Sequence, residues 1–176
     1  GHYDCLHLRL EEDAVSAWGE ASSKQRLDSA IRVALGMNFS SPWYIATAMF
    51  TYNTEFTVFS RKQLETAAGG RVYTKADFLS HSQLQSLNSE EAALVDLVVA
   101  THSRVFVGFG LSSFSFFVAE NRELSRGLSL FQNGHTHTTH FYGELEREFV
   151  YSAVLSRFGA QFWRKHLQDS EANPFK

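Results

Sequence analysis

Val105-Phe-Val-Gly-Phe-Gly-Leu-Ser-Ser-Phe-Ser115 is the most informative stretch of the chain. An apolar, strand-sized run enters a turn containing Gly108 and Gly110, and a helix starts among three serines. A strand that ends in a glycine turn and feeds a helix is the repeating joint of α/β proteins. The rest of the chain alternates in the same way. Tyr3–Leu10 reads as a buried strand, Ser23–Leu35 as a helix stopped by Gly36, and Trp43–Phe50 as a second strand. Arg61–Ala68 reads as a helix ending at Gly69-Gly70, Arg71–Thr74 as a short strand and Arg104–Phe109 as a fourth. Ser89 can cap a helix whose first turn carries Glu90 and Glu91 against the dipole. That helix is apolar on most sides from Ala92 to Val99 and is expected to be buried. Ser112–Arg126 and a long C-terminal helix over Glu144–Leu167 complete the pattern. The expected fold is α/β, one domain over residues 1–176 with a mostly parallel sheet flanked by helices.

Composition narrows the functions. The 176 residues are 44% apolar and 20% charged, enough for one core, and 14% aromatics with only 2 prolines exclude disorder. Sixteen basic against 19 acidic residues leave a net charge of -3, which argues against a general nucleic-acid binder. Cys5 stands alone, so neither an internal disulfide nor a cysteine-rich zinc site is available. No apolar run reaches membrane-spanning length. The chain begins at Gly1 with no visible signal or transit segment, and reads as processed or cut from a longer polypeptide.

Three clusters could carry chemistry. In the Val105–Ser115 turn, free amides at a helix start and the hydroxyls of Ser112, Ser113 and Ser115 could cradle phosphate, and a plain capped turn would use the same residues. Ser113 stands where a dinucleotide fingerprint has its third glycine. The turn follows the fourth strand, however, and no acidic residue closes a following strand about 20 residues on, so a nicotinamide enzyme is not expected. In His7-Leu-Arg-Leu-Glu-Glu-Asp13, His7 and Arg9 share a strand face near its carboxyl end. There Arg9 could grip a diphosphate and Asp13 could hold Arg9 or contact a sugar, or the charges could form an ordinary strand-end pair. The third cluster, His135, His137 and His140, is a weak alternative metal site. Cys5 and Phe114, Phe116 and Phe117 suit a core, and Asn38-Phe-Ser40 fits a glycosylation sequon. Phe141-Tyr142 with Phe158, Phe162 and Trp163 could form a sticky patch for a partner.

Together the His-x-Arg-x-x-x-Asp pattern in Tyr3–Trp18 and the Glu91–Arg122 segment, with its Phe-Val-Gly, Ser-Ser-Phe-Ser and downstream Arg, resemble the GDP-fucose protein O-fucosyltransferases and their plant-type relatives. Trp43–Thr47 and Val72-Tyr-Thr-Lys-Ala-Asp77 fit in order, so the resemblance covers about residues 3–126 and leaves 127–176 unassigned. It implies the Rossmann-like, nucleotide-binding half of a two-domain GT-B glycosyltransferase. It also implies inverting transfer of fucose from GDP-fucose to a protein hydroxyl with no cofactor or metal required, in keeping with the lack of an Asp-x-Asp motif. Arg9 would bind the diphosphate and stabilise departing GDP. His7, Asp13, Gly110, Ser112, Ser113, Phe114 and Ser115 would form the nucleotide pocket. The partners implied are a protein acceptor or partner subunits at the aromatic C-terminal region, and a working enzyme implies the ER or Golgi lumen. Arg104 departs from the family, which usually has an acidic residue there that helps recognise guanine. The alternative function is a non-catalytic, fucosyltransferase-like structural subunit of a larger assembly.

Overall fold

The computed structural model describes residues 2–40, 42–51, 54–125 and 139–143. The expected C-terminal helix over 144–167 therefore lies outside the described residues, as do residues 135 and 137 of the histidine cluster. The elements run β1 (Asp4–His7), α1 (Glu12–Trp18), α2 (Glu20–Gly36), β2 (Trp43–Ala46), α3 (Glu55–Ala67), β3 (Val72–Tyr73), α4 (His81–Ser86), α5 (Ser89–His102), β4 (Phe106–Phe109), α6 (Ser113–Ser125) and β5 (Thr139–Tyr142). All four pairings are parallel, in the order β3-β2-β1-β4-β5. This is the doubly wound, Rossmann-like arrangement. The chain steps outward from β1 to β3, then returns to lay β4 and β5 on the other side. The direction of winding thus reverses between β1 and β4, where such sheets leave a crevice.

Alternation along the strands sends side chains into two cores. Leu6, Trp43, Ile45, Val107 and Phe109 pack with Leu27, Ala30 and Ala34 of α2 and Leu64 of α3. Cys5, Tyr44, Ala46 and Phe106 form the opposite face with Ala100 of α5 and Val118 of α6. Both faces are covered, which is why β2 and β4 are apolar along their whole length.

Several local expectations change. Helix α2 does not stop on a glycine in the left-handed region. Gly36 is its last residue, and Asn38 takes the positive φ of 52° while the Phe39 N–H returns to the Ala34 carbonyl. Asparagine tolerates that conformation better than other residues with a Cβ. The N-cap of α5 is Asn88, whose side chain accepts from the Glu91 N–H, with the Glu91 side chain reaching back in a capping box. Nor is α5 buried all round. Only Asp96 and Ala100 are buried, and Leu94 and Val98 are 58% and 55% exposed. An apolar helix lying on one face of a sheet has only one side to cover, whatever its composition.

Candidate functional site

Parallel strands deliver their carboxyl ends to one edge, and β1 pairs with β4 through Cys5–Phe106 and Leu6–Val107. His7 closes β1, and the Phe109–Ser115 turn follows β4. The two meet directly: His7 Nδ1 and Ser115 Oγ are 2.7 Å apart, and the same hydroxyl accepts from the Phe109 N–H at 2.9 Å. The imidazole also packs against the Phe114 ring, centroid to centroid 4.6 Å. Burial, with the Arg9 and Lys75 cations adding to it, lowers the His7 pKa to about 3, so the ring is neutral at physiological pH.

This contact depends on a glycine. A Cβ on Gly108 would lie 2.7 Å from Ser115 Oγ and 2.8 Å from both Ser115 Cβ and Phe106 Cε1. Helix α6 can therefore rest against β4 only where β4 has no side chain.

The serines divide by environment. Ser115 is fully buried and its hydroxyl is committed to His7 and Phe109. Ser112 is buried, and its carbonyl accepts from the Phe116 N–H. Ser113 is exposed and Phe114 half-buried at the first turn of α6, whose leading amides have no acceptor within the helix. The Gly110 N–H is already bonded to the Tyr142 carbonyl at 2.9 Å, so it braces the turn against β5.

Arg9 emerges beyond β1, with its side chain 39% exposed. Asp13 grips the end of its guanidinium, Nη2 to Oδ2 at 2.7 Å and Nη1 to Oδ1 at 3.3 Å, and Glu11 Oε2 takes Nη1 at 2.7 Å. The Arg9 backbone hydrogen-bonds the Tyr142 hydroxyl, whose pKa is raised by burial. Tyr142, expected in an exposed aromatic patch, is instead 2% exposed and packs in the core, and Glu11 has no role assigned from the sequence. Nothing local in Thr-His-Phe-Tyr shows that its tyrosine turns inward, because that depends on β4 beside it. On the other side of His7, buried Lys75 donates to Asp96 and to the Thr47 carbonyl, and the Tyr44 hydroxyl donates to Asp96 at 2.7 Å. This triad ties the end of β2 to α5 beneath the same edge.

Arg104 lies elsewhere. It precedes β4 at the amino edge, where its Nη2 donates to Asp4 Oδ2 at 2.6 Å and to the Asn38 carbonyl at 3.0 Å. Fully buried Asp4 also accepts from the Val105 N–H at 3.1 Å and the Ser40 hydroxyl at 3.2 Å. Arg104 thus braces the sheet end opposite His7 and Arg9. His140 sits within β5, and among the described residues no group of three or more metal-ligating side chains occurs. A cavity of about 260 Å³ between α1 and α3 is lined by Glu12, Glu20 and Glu55 with Phe56, which suits an anion poorly. Among the described residues, no helix is long and apolar enough to cross a membrane.

A sequence model described as GDP-fucose protein O-fucosyltransferase matches residues 1–125 of the 176. The match runs from β1 to the last residue of α6 and so spans both clusters at the carboxyl edge. None of the curated proteins compared matches the chain.

Proposed function

The chain belongs to the GDP-fucose protein O-fucosyltransferase family, and from that premise we propose that it is the donor-binding half of an O-fucosyltransferase-like glycosyltransferase. The observation that carries this reading is the 2.7 Å contact between His7 and Ser115, which joins the end of β1 to the serine turn at the reversal point of the sheet. Arg9 stands beside that point with a partly exposed guanidinium, and the first turn of α6 offers amides and the Ser113 hydroxyl.

In this reading the diphosphate of GDP-fucose lies between Arg9 and the α6 terminus, with Phe114 and neutral His7 lining the pocket. As the bond from fucose to the β-phosphate breaks, negative charge grows on the leaving oxygen. Arg9 stabilises that charge by charge-assisted hydrogen bonds, so the reaction requires no metal. The acceptor hydroxyl approaches from a second half that closes the cleft. A second reading, a non-catalytic subunit of a larger assembly, is favoured by the exposed Leu94 and Val98 on α5.

The test is thermal unfolding of the chain with GDP or GDP-fucose. At one hundred times its dissociation constant a ligand stabilises by about 2.7 kcal/mol, readily seen in a melt. Stabilisation that disappears in Arg9→Ala supports the donor site. None at millimolar nucleotide favours the subunit, and stabilisation that survives Arg9→Ala puts the nucleotide elsewhere.

A further inference from the structure

The two carboxylates on Arg9 differ in kind. Glu11 has a side chain only 13% exposed and is pinned a second time, Oε1 accepting from the Ala48 N–H at 3.4 Å in the loop after β2. Asp13 is 67% exposed, on the first turn of α1. They share Nη1 of the guanidinium. Asp13 spans Nη1 and Nη2, and Glu11 takes Nη1. A guanidinium has a second fork, formed by the Nε–H and the neighbouring Nη2–H. Among the described residues that fork meets no acceptor. It is the geometry that two phosphate oxygens accept.

We propose that Glu11 is a positioning residue that aims the free fork of Arg9 at a diphosphate, and that Asp13 is a carboxylate brake that weakens diphosphate binding. The proposal rests on the donor-site reading and names how that site is tuned. With Glu11 and Asp13 both ionised, the three side chains carry one positive and two negative charges. A diphosphate using the free fork therefore meets a cluster that is net negative. Glu11 cannot leave without abandoning the Ala48 amide, whereas exposed Asp13 can be shed at little cost. Such a brake suits a transferase, because the charge that develops on the leaving diphosphate would otherwise hold the nucleotide product in place.

The test is calorimetric titration of the 176-residue chain with GDP and with inorganic pyrophosphate, in low and in high salt. Asp13→Asn keeps the shape and removes the charge. It is expected to tighten both ligands by about two- to fivefold in low salt, the scale of an exposed ion pair, with the difference fading in about 0.5 M NaCl. Glu11→Gln is expected to weaken GDP by about tenfold and to flatten its salt dependence, because Arg9 is no longer aimed. A merely structural role for Glu11 would lower the melting temperature and leave the salt slope unchanged. If GDP binds and requires Arg9 but Asp13→Asn leaves its affinity unchanged or weaker, the brake is refuted and the donor site stands. If the salt slope survives Glu11→Gln, the positioning role is refuted. If GDP does not bind, or binds equally well to Arg9→Ala, the donor site itself is refuted and this proposal with it.

Discussion

Ser115→Ala tests the joint on which the site depends. The substitution removes one hydroxyl from a fully buried position and leaves two groups behind, the Phe109 N–H at 2.9 Å and His7 Nδ1 at 2.7 Å. Neither can reach water without opening the contact between β4 and α6. A buried donor or acceptor left unsatisfied costs about 1–3 kcal/mol. Alanine is a slightly better helix former than serine, which returns a few tenths of that. The expected net loss is about 2–4 kcal/mol. Urea denaturation should show it as a midpoint lowered by about 1–2 M at unchanged slope. Ser113→Ala is the control: it removes an exposed hydroxyl two residues away and should change stability by less than about 0.5 kcal/mol. A double-mutant cycle with His7→Leu should give a coupling of about 1 kcal/mol or more. A loss below about 0.5 kcal/mol for Ser115→Ala, or equal losses for the two serines, would refute the assignment of Ser115 as the strut and Ser113 as the residue facing the ligand.

Gly108→Ala drives a methyl group to 2.7–2.8 Å from Ser115 and Phe106 and should cost about 1–3 kcal/mol by thermal melt, with loss of GDP stabilisation as α6 is pushed off β4. Arg122→Met removes a fully buried guanidinium from the carbonyls of Ala100, Thr101, Ser103 and Arg104, which end α5 and lead into β4, and should destabilise by about 3–5 kcal/mol in urea. His7 has a folded pKa of about 3 against an ordinary 6.5, so the unfolded chain binds its proton first. Its contribution is intact above pH 6.5 and is lost as the pH falls toward 3, by up to about 1.4 kcal/mol per pH unit, and the difference in urea stability between wild type and His7→Gln should follow that slope. Arg104→Asp, which restores the acidic residue usual in the family, should destabilise by about 2–4 kcal/mol in urea without improving discrimination of GDP from ADP, because it sets a carboxylate against buried Asp4 at the edge away from His7.

The first four strands were legible because each falls in a short, mostly apolar run closed by turn residues, and parallel order follows from helices between strands. Boundaries were less so. Trp43–Phe50 read as one strand, yet β2 ends at Ala46, where the Thr47 hydroxyl turns back to the Leu8 carbonyl and the chain enters a short 3-10 turn at Met49–Thr51. Helix α1 went unread because Glu12–Trp18 is short and charged at its start, and its stability comes from packing against α2 rather than from its own pattern. Strand β5 went unread because Thr-His-Phe-Tyr is strand-like only in the presence of β4 beside it. In the site, His7 and the serine turn were both visible, but not that they touch. That contact joins residues 108 positions apart and depends on the crossover that brings β4 beside β1.

Strand β1 explains why like residues differ in role. An arginine meets one carboxylate at its amino end and two at its carboxyl end. At the amino end, Asp4 is fully buried and accepts from the Ser40 and Val105 amides and the Ser40 hydroxyl as well as from Arg104, whose own side chain is 43% exposed, so it is the carboxylate that is tied into the backbone. At the carboxyl end, Arg9 and Asp13 are partly exposed and spend no backbone bond on one another. A buried carboxylate held by backbone amides fixes geometry, whereas an exposed one such as Asp13 is held by an ion pair worth at most about 1 kcal/mol and yields to a competing anion. Arg104, where the family resemblance leads to the expectation of an acidic residue, therefore lies before β4 at the amino edge, against the end of β1 that builds the sheet. Arg9 lies just beyond the carboxyl end of β1, where its partner Asp13 is exposed. In the proposed donor site a diphosphate takes the place of Asp13 on Arg9, while the backbone bonds of Asp4 hold the other end of β1.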